Sequence, residues 1–256
     1  MLVLDGYDPA YGEVIVSDRR ALCARGVSVV YDGVAVLDRV SVDLIPGEPP
    51  IGVIGESGAG KTSLVEVLAG WAAPSSGVVA YGDLDPHHPP RRYRKTVRAG
   101  VRGVREEQDP VGAQRFTGAQ AMDRAMKLAR QTGRGPVGDA AEMCELVGFD
   151  PSDLGRLLRE MSLGEQQRLT MARALVTDPD ILLLDEPATA LDPEATAEVM
   201  DAVMGFCRDA GAAVLVVSHD LELISRVAGT VITLHEGRET ARAPLNAAEA
   251  VARPRP

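Results

Sequence analysis

Cysteine is scarce in this chain, long apolar runs are missing, and there is no surplus of positive charge. The cysteines, Cys23, Cys144 and Cys207, lie far apart and match no metal-ligand spacing. They read as buried or idle thiols in a reducing compartment. No segment has the roughly twenty apolar residues that span a bilayer. The opening stretch, MLVLDGYDPAYGEV, is too acidic and too interrupted for a signal peptide. A soluble, cytosolic chain is expected, and any action at a membrane would need spanning segments from another chain. Lysine and arginine number 27 against 37 acids, a formal charge of −10. That balance argues against a general nucleic-acid binder. It leaves nucleotides open, because a local loop binds phosphate whatever the net charge.

One segment runs the other way. HHPPRRYRKTVRAGVRGVR, His87 to Arg105, is rich in arginine and holds no acid. The plain reading is a solvated face. The functional one is a docking surface for an acidic partner or a membrane surface. With 256 residues, 45% of them apolar, the chain can form one large domain or a domain with a subdomain around a real core.

Val27 to Glu48 reads as β structure. Val40, Val42 and Leu44 alternate with Ser41 and Asp43, and Asp32-Gly33 signals a turn. IGVI, Ile51 to Ile54, is a short apolar strand. Leu64, Leu68 and Trp71 then follow helical spacing, with Pro74 as the stop. From about Gln108 to Met161 the pattern is mostly helical, clearest over Ala121 to Arg130 and Ala140 to Val147. From Ser162 onward helices alternate with the apolar strands ILLL (Ile181 to Leu184), VLVV (Val214 to Val217) and VITL (Val231 to Leu234), which implies a largely parallel sheet. The Ala- and Pro-rich stretch from Ala241 to Pro256 is expected to be loosely ordered.

Between IGVI and the helix stands GESGAGKTS: Gly55, Glu56, Ser57, Gly58, Ala59, Gly60, Lys61, Thr62 and Ser63. Gly55-x-x-x-x-Gly60-Lys61-Thr62 is a full P-loop match in the required strand-to-helix context. The glycines let backbone N–H groups turn inward around phosphates, and the helix N-terminus adds its positive end. Lys61 is expected on the β- and γ-phosphates and the Thr62 hydroxyl on Mg²⁺. ILLLDEP ends a buried strand in acids. Asp185 would hold Mg²⁺ through water, and Glu186 would act on the attacking water as general base or orienter. In MSLGEQQR, Met161 to Arg168, Ser162 starts a helix whose N–H groups at Ser162 and Gly164 offer a second anion site. One nucleotide cannot easily use two helix N-termini of the same chain. This site therefore fits the γ-phosphate bound by a second copy.

These motifs, with Ala190-Leu191-Asp192 and Ser218-His219-Asp220, come in the order and at about the spacing of an ABC-type ATPase. The chain resembles that family over roughly Val27 to Gly237. The resemblance implies an α/β P-loop NTPase fold with a mostly parallel core sheet, an antiparallel β subdomain and a helical subdomain. It divides the chain into an N-terminal extension (1–24), a nucleotide-binding core (25–107 and 166–240), a helical and signature subdomain (108–165) and a tail (241–256). It implies adenine stacking on Tyr31. It also implies a Gln108 that contacts Mg²⁺ and water and senses a membrane partner, although Arg105-Glu106-Glu107 stands where relatives have an apolar strand. Ser162, Gly164 and Glu165 become the signature, Asp192 the aspartate that crosses the dimer interface, and His219 the switch that bonds the γ-phosphate. His87, His88 and His235 lack such context and read as surface.

Leu163 departs from the family's paired glycines. If only the backbone matters there, the side chain can turn away. If the position needs positive φ, leucine would be strained by about 1–3 kcal/mol. Ser-Leu-Gly also looks like a variant of working members.

The family implies a transporter's ATP-binding subunit using ATP and Mg²⁺. It would pair with a second ATPase subunit and integral membrane permease subunits, peripheral on the inner face of the cell membrane, with no nucleic acid. GESGAGK and Gln108-Asp109-Pro110 are similar to the peptide and nickel importer group. The alternative is a soluble ABC ATPase in a non-transport complex such as a carbon–phosphorus lyase assembly. A chromosome or DNA-repair ATPase would need a long coiled coil between P-loop and signature, and no sustained heptads are present.

Overall fold

In the computed structural model, residues 15–16, 19–105, 115–133 and 135–245 are described. β1 (Ile15–Val16) and β2 (Arg19–Arg20) pair as a short antiparallel ladder. β3 (Leu22–Tyr31) and β4 (Val34–Leu44) form the predicted hairpin. Its turn has Asp32 at φ 50 and Gly33 at φ 82. Positive φ at both central residues is what a type I′ turn requires, and Asp-Gly supplies it at least cost. Val40, Val42 and Leu44 are buried along β4, as the alternation implied. β6 (Ser76–Tyr81) adds to the other side of β3, giving an antiparallel sheet of order β4-β3-β6. β3 begins at Leu22, within the stretch assigned to an N-terminal extension, and Leu22 and Ala24 are core residues.

The second sheet has six strands in the order β11-β10-β5-β9-β8-β7. β5 (Ile51–Ile54), β7 (Val101–Val104), β8 (Ile181–Asp185), β9 (Ala213–Val217) and β10 (Thr230–His235) are parallel to one another. Every residue of β8 and β9 is buried. Parallel strands covered on both faces need such unbroken apolar runs. β11 (Arg238–Pro244) closes one edge antiparallel to β10. It corrects the expected loose tail at Ala241 to Pro244. The Arg- and Glu-rich alternation of β11 hides a strand whose side chains are half-exposed at best.

One face of this sheet packs on α1 (Lys61–Leu68) and the antiparallel sheet. The other packs on the remaining large helices: α3 (Gly118–Arg130), α4 (Ala140–Leu146), α5 (Leu163–Leu175) and α6 (Pro193–Ala210). α6 starts with Asp192 accepting from Ala195 N–H and Pro193 at the first position. α1 stops earlier than expected. It ends at Leu68, and Gly70 at φ 72, rather than Pro74, turns the chain away. Trp71 thus leaves the helix and is 47% exposed, its ring stacked on the Arg105 guanidinium at 4.2 Å.

The basic segment folds as a turn, then α2 (Arg94–Gly100), then edge strand β7. Arg91, Arg92, Arg94, Lys95 and Arg98 are exposed, as a solvated face would be. His87 is a correction: its side chain is only 6% exposed, and Nε2 lies 2.9 Å from the Val67 carbonyl at the end of α1. β7 ends at Val104, with Val101 and Val104 buried, just ahead of Arg105; Glu106 and Glu107 lie outside the described residues. α7 (Leu221–Val227), capped by Asp220, completes the α-helices of the described residues. Burial pushes the Cys207 thiol up to about 12 and the Cys144 thiol to about 11, which keeps both inert.

Candidate functional site

The parallel register carries three chain segments to one edge. Val53 on β5 and Asp185 on β8 both pair with Val217 on β9. The residues just past those strands, from Gly55, from Glu186 and from Ser218, therefore meet at the carboxyl edge, where open α/β sheets bind ligands. A cavity of about 380 Å³ opens there. Its wall takes Ser57, Gly58, Gly60, Lys61, Thr62 and Ser63 from the glycine loop, Asp185, Glu186 and Thr189 after β8, His219 after β9 and Val36 from β4.

The loop is shaped by close backbone approach. Gly60 stands at φ 94, and a Cβ there would lie 2.4 Å from the Val36 carbonyl oxygen. A Cβ on Gly55 would lie 2.4 Å from the Leu234 carbonyl oxygen. Neither backbone neighbour can yield, so both positions demand glycine. Lys61 Nζ donates to the carbonyls of Gly55 at 2.8 Å and Glu56 at 2.9 Å. Its charge thus sits across the mouth of the loop. Glu56, Ser57, Gly58 and Thr62 are exposed along the rim, and Ala59 is buried beneath it.

Glu186 and His219, read separately from the sequence, form one unit. The Glu186 carboxylate accepts from Ser218 Oγ, His219 N–H and His219 Nδ1, each at 3.0 Å. The hydrogen bond to Glu186, then its charge, raise the His219 imidazolium above the ordinary histidine value. The pair is therefore complete below that ordinary value and is lost as pH rises through the raised one. An NMR titration should place His219 above about 6.5. In Glu186→Gln it should fall back toward that value, and a titration unmoved by the substitution would mean the pair does not form in solution. Glu186 itself sits at φ 50. A left-handed non-glycine residue costs about 1–2 kcal/mol and must be held by its surroundings.

Asp185 is buried at the end of β8. With the Thr62 hydroxyl it gives the cavity an oxygen-only donor pair. Among the described residues no group of three or more His, Cys, Asp or Glu could hold a metal. Two protein oxygens are what Mg²⁺ uses when substrate phosphates and water complete its shell, so the residues present fit that ion. Gln108 lies outside the described residues.

The signature residues do not reach this cavity. Ser162 caps α5, its Oγ accepting from Glu165 N–H at 3.2 Å. Glu165 returns the bond to Ser162 N–H at 2.6 Å and also takes Arg156 Nη1 at 2.8 Å. Those donors, Ser162 N–H first, hold the Glu165 carboxyl below the usual range. Gly164 packs on the turn after β8, where a Cβ would lie 2.9 Å from the Ala190 carbonyl oxygen. Leu163 is the first helical residue and is 59% exposed. It is absent from the positive-φ residues of the described chain. The side chain turns away, and the strained alternative falls. Tyr31 stands half-exposed at the hairpin tip, outside the cavity wall, as do Asp192 and the α6 N-terminus.

Thr189, Val36 and the buried amide of Gln167 were not assigned roles from the sequence. Gln167 alone carried a signal. It lies three residues after Gly164 and four before Met171, a polar residue on the buried stripe of α5.

Residues 37–189 match the family model described as ABC transporter. The methionine import ATP-binding protein MetN of Caulobacter vibrioides is 34% identical over 215 residues, 80% of this chain and 61% of its own. The chain thus spans about three-fifths of the length of that relative. The zinc import ATP-binding protein ZnuC of Paramagnetospirillum magneticum is 36% identical over 210 residues, 82% of this chain and 72% of its own. Among solved structures, a dimeric ATP-binding cassette in a post-hydrolysis state, bound to ADP and Pi, superposes with a TM-score of 0.74. It is 22% identical and covers 88% of this chain and 98% of its own, a likeness of fold.

Proposed function

The chain belongs to the ABC transporter ATP-binding family, and from that premise we propose that it hydrolyses Mg-ATP as half of a head-to-tail pair, driving solute movement through separate permease subunits. One observation supports this above the others. Lys61, Asp185, Glu186 and His219 surround one cavity, while Ser162 and Gly164 of the same chain do not line it. A complete phosphate shell then needs the α5 N-terminus of a second copy.

In this reading ATP lies with its phosphates in the loop from Gly55 to Ser63, held by backbone N–H groups and the α1 N-terminus. Lys61 exchanges the Gly55 and Glu56 carbonyls for phosphate oxygens. Thr62 and Asp185 would hold Mg²⁺, with Gln108 as a further ligand, and the ion would supply neutralisation of the phosphate charge. Glu186 orients the attacking water and receives its proton. His219 offers its N–H toward the γ-phosphate, and Ser162 and Gly164 of the second copy cover that phosphate from the far side. Tyr31 stacks on adenine, and Asp192 faces the partner. The chemistry is positioning and electrostatic stabilisation, with no covalent intermediate on the protein.

Among the described residues no helix is long and apolar enough to cross a membrane. Membrane attachment in this reading comes through the permease, at the cytoplasmic face. Relatives' names cover methionine, zinc and phosphate import and lipoprotein release, so motor residues do not specify cargo. The peptide and nickel grouping rests on the GESGAGK and Gln108-Asp109-Pro110 likeness alone. Affinity capture of the full chain from detergent extracts tests the transport reading. Integral membrane subunits should copurify. Recovery with a soluble enzyme core instead would replace transport with a non-transport ATPase role.

A further inference from the structure

Gln167 is a buried polar side chain, 7% exposed, in the second turn of α5. Both ends of its amide are engaged. Nε2 donates to the Glu186 carbonyl at 3.0 Å, and Oε1 accepts from Ala190 N–H at 3.3 Å. One side chain thus grips the turn after β8 at two points, on either side of Pro187 to Thr189. The Glu186 carbonyl also accepts from Thr189 Oγ1 at 3.2 Å. Glu186 N–H donates to the Val217 carbonyl at 2.9 Å. These bonds hold a left-handed glutamate whose carboxylate is set by Ser218 and His219.

The same helix meets the same turn a second time. Gly164 lies so close to the Ala190 carbonyl that a Cβ would not fit. The first turn of α5, with Ser162 at its cap, and the second, with Gln167, therefore both rest on residues 186–190.

We propose that Gln167 is a positioning residue that fixes Glu186 in its left-handed turn and ties that turn to the helix addressing the other nucleotide. The inference rests on the head-to-tail reading. There, Ser162 of one chain serves one ATP while Glu186 of the same chain serves the second. The Gln167 amide then links the two sites within each chain, without touching either substrate. A residue that acts this way governs the chemical step more than nucleotide binding.

The test compares Gln167→Leu, which removes both bonds at similar size, with Gln167→Glu, which keeps the acceptor for Ala190 N–H and loses the donor to Glu186. Steady-state ATP hydrolysis by the full chain with its partners is the measurement. Gln167→Leu should lower kcat roughly tenfold, equivalent to about 1.4 kcal/mol. The KM for ATP should stay within about twofold of wild type in both variants. Single-turnover rates in a Glu186→Gln background give the decisive comparison. If Gln167 acts through Glu186, adding Gln167→Leu there changes the rate little. An equal fall in both backgrounds would assign Gln167 to general packing and overturn the inference. If the leucine variant does not fold, Gln167→Glu carries the same comparison. Full-rate Gln167→Leu beside an inactive Glu186→Gln overturns the inference alone. Equal turnover by wild type and Glu186→Gln overturns the hydrolysis reading with it.

Discussion

Glu186→Gln should reduce ATP turnover by roughly 10²–10⁴-fold, the range expected on losing a general base, while ATP still binds. The substitution keeps shape and removes charge. In the native site the carboxylate accepts three hydrogen bonds, from Ser218 Oγ, His219 N–H and His219 Nδ1. A glutamine amide offers one acceptor oxygen and a donor group in place of two acceptors. It can still meet Ser218 or the His219 backbone, so the turn should hold. It cannot take a proton from water. With hydrolysis blocked, the ATP-bound pair should accumulate, visible as a dimer on size-exclusion chromatography with Mg-ATP. Phosphate release at the wild-type rate would show that another group handles the water. A monomeric elution profile would remove the assigned role of Glu186 in the closed pair.

A mixture of two inactive variants should regain activity. Lys61→Ala disables the P-loop half of a site. Ser162→Asp disables the signature half, placing a carboxylate against the γ-phosphate while keeping a good N-cap for α5. Each alone should lower turnover on the order of 100-fold or more, the loss typical of a single electrostatic contact to the reacting group. In a two-fold symmetric, head-to-tail pair, residue i of one chain meets residue j of the other. Every homodimer then holds two defective sites. A mixed dimer gathers both defects in one site and leaves the other intact. Random mixing should restore about a quarter of the wild-type rate, since half the dimers are mixed and each has one working site. If each nucleotide were served within one chain, mixing would restore nothing. The two outcomes separate the cavity seen in the monomer from the shared site proposed for the pair.

The long, strongly patterned elements were legible without the fold. Asp32-Gly33 marked the hairpin, and ILLL and VLVV the buried strands. Short or charged elements were not. β7 is interrupted by Arg102, α2 buries only Val97 and a pair of small residues, and β11 is mostly polar. Their stability comes from pairing and packing with distant segments, which no local window contains. The stop of α1 was misassigned because Gly70 and Pro74 are both credible terminators, and backbone geometry chose the first.

Identity and order of the chemical groups were readable along the chain. The P-loop and Asp185-Glu186 follow from residue type in local context, because phosphate binding and strand-end acids have local sequence rules, whereas the signature and His219 took their roles from the family resemblance. Three things needed the folded molecule. The parallel register brought Glu186 against His219, residues 33 apart in sequence. The helical backbone at Leu163 showed that a leucine there carries no positive-φ strain. The packing of α5 on residues 186–190 revealed Gln167 as a clamp. Each depends on contacts between segments far apart in sequence. Such contacts are set by the sheet's strand order and helix packing, and a one-dimensional pattern does not encode them.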